Sequence, residues 1–108
     1  MVHRSGYVYN NLCFEEILFD SSVTLQSLKK ASPETISSLN LNLVDFTYTQ
    51  RYIDFKSGSH LPWLKNRSNR QRSEYLFASN NQLQRFQTSR KDDLINLSYI
   101  LIYLLNDF

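Results

Sequence analysis

The sequence predicts an α+β fold that is mainly α. Three observations predict it. Leu94, Leu97, Leu101 and Leu104 or Leu105 recur at helical spacing near the end of the chain. Leu39-Asn40-Leu41-Asn42-Leu43 alternates apolar and polar, the pattern of a half-buried strand. Tyr7 to Phe19 is rich in aromatic and branched residues and broken by Asn10-Asn11, which reads as two short strands around a turn. At 108 residues the chain is too short for two cores.

The elements follow in order. A strand near Tyr7 and a second near Ile17-Leu18-Phe19 flank the Asn pair. Residues 21–38 are Ser/Thr-rich, with Pro33; they read as a flexible insertion with one helical turn around Leu25 to Lys30. The alternating strand runs into Val44-Asp45-Phe46. Thr47 to Gln71 is polar, with Lys and Arg among Tyr, Phe and Trp, and reads as a long irregular loop; such loops inside small domains are usually functional. Ser73 to Gln87 suggests a short helix. Thr88 or Ser89 caps the last helix, whose first turn carries Asp92 and Asp93 at the positive end of the dipole. Ile95, Ile100, Ile102 and Tyr103 widen its apolar stripe nearly all round, which belongs in a core. Only three residues follow Leu105, so little remains to surround it.

Composition narrows the function. Twelve Lys+Arg against ten Asp+Glu give a net charge of +2, too mild for a nucleic-acid-binding surface. A hydrophobic fraction of 42% argues against disorder. The single cysteine, Cys13, excludes an internal disulfide and a cysteine-based zinc cluster. No charged n-region precedes an apolar run, and Tyr99 to Leu105 is far below a bilayer span. A cytoplasmic or other intracellular, non-secreted protein is expected, with no membrane span.

Four motifs then stand out. They are Leu43-Val44-Asp45-Phe46-Thr47-Tyr48-Thr49-Gln50-Arg51-Tyr52-Ile53-Asp54, His60-Leu61-Pro62-Trp63, Ala78-Ser79-Asn80-Asn81, and Ser89-Arg90-Lys91-Asp92-Asp93-Leu94 running on to Tyr103. Together they resemble the casein kinase I family of protein kinases. The family shows I-D-F-G-L-A-x-x-Y-x-D, H-I-P-Y, A-S-I-N and S-R-R-D-D-L-x-x-L-x-Y-x-L-x-Y in the same order. The resemblance implies a partial kinase-like C-lobe over residues 1–108: catalytic-loop region, activation segment and central buried helix. No stretch resembles the N-lobe's Gly-rich loop, lysine strand or partner glutamate.

In that register Tyr7 to Leu18 falls on the family's F-I-H-R-D-I-K-P-D-N-F-L. The apolar frame survives and the chemistry does not. Asn11 stands at the catalytic aspartate, and an amide cannot accept the substrate's proton. Cys13 replaces the phosphate-neutralising lysine, and Glu16 the metal-binding asparagine. Asp45 keeps a metal-binding position, but β-branched Thr47 replaces the glycine beside it. Asp93 falls where kinases place an aspartate that bonds the catalytic-loop backbone, a structural role; Asp92 reads as a helix N-terminal charge. His3-Arg4 is followed by no aspartate and is out of register.

Other chemistries are weaker. Glu15 and Glu16 on one strand would face opposite ways, which argues against a two-carboxylate hydrolase. Cys13 with His3 or His60 is less a nucleophile pair than a core thiol. Lys56, Lys65, Arg67, Arg70 and Arg72, with Phe55 and Trp63 as neighbouring aromatic residues, form a basic stretch, and Lys65, Arg67, Arg70 and Arg72 are candidates for a phosphate- or peptide-binding groove. The expectation is therefore a catalytically inactive pseudokinase fragment acting as a scaffold, with a protein partner on Leu97, Leu101, Leu104 and Leu105. No cofactor is expected; Mg-ATP would enter only with residual kinase function through Asp45. The alternatives are a protein serine/threonine kinase part completed by another chain, and a basic phosphate- or peptide-binding module.

Overall fold

A computed structural model describes residues 2–20, 22–64 and 75–106. In chain order they form β1 (Tyr7–Val8), β2 (Ile17–Phe19), α1 (Leu25–Lys30), α2 (Pro33–Ser37), β3 (Leu41–Leu43), β4 (Gln50–Arg51), α3 (Asn80–Leu83) and α4 (Arg90–Leu105). Single 3-10 turns at Val2–Ser5 and Phe14–Glu16 precede β1 and β2. The fold is mixed α and β, with two small antiparallel sheets, β1–β4 and β2–β3.

β1 pairs Tyr7 with Arg51 and Val8 with Gln50, and the ladder extends through Tyr52 N–H to the Gly6 carbonyl at 2.9 Å. Gly6 has φ +85°, and a Cβ there would stand 2.7 Å from the Phe55 ring. The backbone angle favours glycine, and a side chain there would also displace the exposed Phe55 ring. β4 is polar, so Gln50 and Arg51 carry no strand pattern. It leads into a bend closed by the Ile53–His60 bridge. The expected irregular loop from Thr47 is thus a β-paired arm over its described part.

β2 and β3 pair in the register Ile17–Leu43, Leu18–Asn42, Phe19–Leu41. Between them the expected insertion folds as two short helices. Thr24 and Ser27 cap α1 reciprocally. Ser32 caps α2 and Pro33 takes its first turn, where the missing N–H costs nothing. None of the described residues in 21–38 is buried, so these helices rest on local capping.

The apolar core is small. Cys13, Phe77 and Ile100 are buried together, with Leu12, Phe14, Ile17 and Tyr103 packed on them. Phe14, Phe77 and Tyr103 form an aromatic trio with ring centroids 5.1–5.6 Å apart, mostly edge to face, as the ring quadrupoles favour. Glu15 and Glu16 lie on a 3-10 turn, which corrects the strand geometry expected for them.

α4 departs most from expectation. It does not sit in a core with apolar residues on every side. Its buried positions are Asp92, Asp93, Asn96 and Ile100. The leucine stripe faces outward: Leu94, Leu97, Leu101, Leu104 and Leu105 are all exposed, Leu105 at 83%. Hydrogen bonding, rather than hydrophobicity, decides which way the helix turns.

Candidate functional site

Asp93 organises the region equivalent to the expected catalytic loop. Its Oδ2 accepts the Tyr9 backbone N–H at 2.8 Å and its Oδ1 accepts that of Asn10 at 2.8 Å. His3 Nε2 meets Oδ2 at 2.7 Å. Asn10 adopts φ 72°, a left-handed angle that asparagine tolerates better than most residues. Its amide donates to the Tyr48 carbonyl at 3.0 Å and its side-chain oxygen accepts the Thr88 hydroxyl. One turn thus ties α4 to the N-terminal segment and to the residues before β4.

Asp92 performs the parallel task beside it. It accepts Ser79 Oγ–H at 2.7 Å, Asn81 Nδ2–H at 3.1 Å and the Ser89 N–H at 2.8 Å. It is thus more than a helix-dipole charge: it ties the Ser79-Asn81 turn to α4. Gln82 and Asn96 complete the interior. Gln82 Nε2–H donates to Asn96 Oδ1 at 3.0 Å, and Asn96 Nδ2–H returns to Gln82 Oε1 at 2.7 Å and reaches the Phe77 carbonyl at 2.6 Å. Asn96 is fully buried. A buried amide is tolerable only when its donors and acceptor are satisfied, and these are. His3, Gln82 and Asn96 carried no signal in sequence, because an isolated histidine or amide looks like surface until its partner is known.

Asn11, Glu16 and Asp45 do come together. Asn11 is buried and its Nδ2–H donates to Glu16 Oε1 at 3.5 Å. Desolvation and the nearby carboxylates of Asp45 and Glu15 hold the Glu16 carboxyl above its ordinary range. Asp45 has φ 52° and is exposed. Its Oδ1 accepts the Thr47 hydroxyl and the Thr47 N–H, and these bonds hold it below the usual carboxylate range. Two carboxylates and one amide donor therefore meet at one place in the fold. Asn11 donates a hydrogen bond and has no basic nitrogen to take a proton.

Cys13 is turned away from this cluster. It is 3% exposed in the Phe77–Ile100 core, and burial, with a smaller effect from Glu15, pushes its thiol up to about 11. Neither histidine serves it: His3 is on Asp93, and the His60 ring packs 5.3 Å from that of Tyr52. Among the described residues no group of three or more His, Cys, Asp or Glu side chains is placed to hold a metal ion. Lys65, Arg67, Arg70 and Arg72 lie outside the described residues.

The remaining candidate surface is the outer face of α4. Beside it lies a groove of about 420 Å³, lined by Val2, Tyr9, Leu12, Leu43, Leu94 and Leu97 together with the polar His3, Arg4 and Asp93. Among the described residues, no helix is long and apolar enough to cross a membrane. No family model matches the chain.

Proposed function

We propose that the chain is a catalytically inactive, casein-kinase-I-like pseudokinase fragment that serves as an interaction subunit, with a protein partner seated on α4. The observation that carries this reading is the orientation of that helix. Its polar residues Asp92, Asp93 and Asn96 point inward and are bonded, while Leu97, Leu101, Leu104 and Leu105 point out. Burying each leucine on a partner would contribute about 1.5–3 kcal/mol. An exposed apolar face of this kind is characteristic of interaction sites. The adjoining groove offers a recess for one anchoring side chain.

The inactive half of the proposal is supported by Asn11 in place of a base and by Cys13 directed into the core. Residue-specific photocrosslinking in cells tests the interaction half. A crosslinker at Leu101 or Leu104 is expected to trap one defined partner, and one at exposed Gln26 is not. A monomer that unfolds cooperatively and crosslinks nothing from α4 would count decisively against the reading. Phosphotransfer by the chain with an added N-lobe partner, abolished by Asp45→Ala, would replace it with the kinase alternative.

A further inference from the structure

A cavity of about 560 Å³ opens between the start of α4 and the arm that carries Tyr52 and His60. Its volume lies in the range of small-molecule sites. His3, His60, Arg90 and Lys91 line it, and among the described residues no aspartate or glutamate does. The nearest acids are engaged inward: Asp92 by Ser79, Asn81 and Ser89, Asp93 by Tyr9, Asn10 and His3. Among the described residues, the single ion pair is His3 with Asp93, so Arg90 and Lys91 have no carboxylate partner there.

Arg90 is also held in place. Its guanidinium carbon lies over the Tyr52 ring, 4.8 Å from the centroid, and the Tyr52 hydroxyl donates to the His3 carbonyl at 2.5 Å. The negative face of the ring attracts the guanidinium and positions it, and an anion is recognised by its N–H donors. The cavity lies at the positive end of a sixteen-residue helix, which adds to the same field. The arm contributes Leu61 and Trp63 to the lining, and α4 adds Leu94 beside Arg90 and Lys91. Gln87 closes this side by accepting the Leu64 N–H.

We infer that this cavity binds a phosphate monoester carried on a flat organic body. The phosphate meets Arg90 and Lys91, whose donors match its several oxygens, and the body lies against Trp63. The site is distinct from the outer leucine face of α4 and does not depend on a partner there.

Trp63 is the only tryptophan of the chain, so its emission reports on this lining alone. Phenyl phosphate titrated into the full chain is expected to change that emission saturably, and added salt to weaken the binding. Lys91→Gln, on an exposed side chain, should weaken binding about ten-fold without altering the far-UV circular dichroism. Arg90→Ala should weaken it at least as much. Tighter binding of adenosine monophosphate than of phosphotyrosine amide would assign the body as a nucleobase, and the reverse order as a side-chain ring; either supports the site. Phenol binding as well as phenyl phosphate, inorganic phosphate binding as tightly as phenyl phosphate, or an unchanged affinity in folded Lys91→Gln would each overturn the inference.

Discussion

The Asp93 carboxylate accepts the backbone N–H of Asn10 at 2.8 Å, joining two residues 83 positions apart in the chain. The same side chain accepts the Tyr9 N–H and meets His3. Asp93→Ala would leave two buried backbone donors without acceptors, at a cost of about 2–5 kcal/mol. Asp93→Asn keeps the shape but offers one oxygen where two are used, and should cost less. His3→Ala removes a partner that is part-exposed and should cost least. Urea unfolding of the three variants checks the order; a His3→Ala loss equal to that of Asp93→Ala would show that the ring, not the amides, is what Asp93 serves.

Gln82 and Asn96 form a reciprocal amide pair inside the protein. Removing either one orphans groups on the other, so each single alanine variant carries both its own loss and its partner's unsatisfied atoms. Removing both avoids the second part. The double variant is therefore expected to lose less stability than the two singles added, by about 0.5–3 kcal/mol. Strict additivity in chemical denaturation would mean that water replaces each lost partner freely and that the pair is not sealed.

These two networks explain what the sequence did and did not reveal. The strands at Tyr7–Val8, Ile17–Phe19 and Leu41–Leu43 were legible because side-chain type and alternation mark a half-buried strand. The last helix was legible from Ser89, Asp92 and its apolar spacing. Its orientation was not. When leucine and isoleucine surround a helix, hydrophobicity names no inner face, and the choice falls to Asp93 and Asn96, whose partners lie 14 to 90 residues away. Polar β4 was missed for a related reason: Gln50 and Arg51 are placed by long-range pairing with β1. The short helix expected within Ser73 to Gln87 is α3, Asn80–Leu83, where Gln82 is fixed by long-range bonding. The helix at Pro33 had its cap signal in Ser32-Pro33, which the surrounding Ser/Thr composition obscured. Of the site, Asn11, Glu16 and Asp45 were marked by the resemblance, but Arg90 and Tyr52 became a pair only once folding stacked them.

Arg85 closes α3 in a left-handed conformation, φ 60°. Its N–H reaches the Gln82 carbonyl at 3.1 Å, and the next N–H, of Phe86, reaches that of Asn81 at 2.8 Å. This is a Schellman ending with arginine at the position that glycine usually fills. The Arg85 side chain is exposed and forms no ion pair among the described residues. Relief of left-handed strain should outweigh the added freedom of the unfolded chain. Arg85→Gly is expected to raise stability by roughly 0.5–1 kcal/mol, read as a higher denaturation midpoint at unchanged slope. A lower midpoint would mean that the arginine stem packs usefully on the helix.

Cys13 gives the fold an alkaline limit. Its thiol, ordinarily near 9, is pushed up to about 11, chiefly by burial against Phe77 and Ile100. Below pH 9 the thiol is protonated in both folded and unfolded chains, and no differential arises. Between about 9 and 11 the unfolded chain releases this proton while the folded one keeps it, so the folded state binds more protons and stability falls as pH rises. The slope contributed by this group is roughly 1 kcal/mol per pH unit in the middle of that window. Cys13→Ala should flatten that component, at the cost of a small cavity at all pH values. The same burial makes the thiol slow toward iodoacetamide at pH 8, with a rate that rises steeply through the unfolding transition. Rapid alkylation of the folded chain at pH 8, or an alkaline slope unaltered by Cys13→Ala, would show that the sulfur is reachable and that Cys13 is not the core residue its surroundings make it.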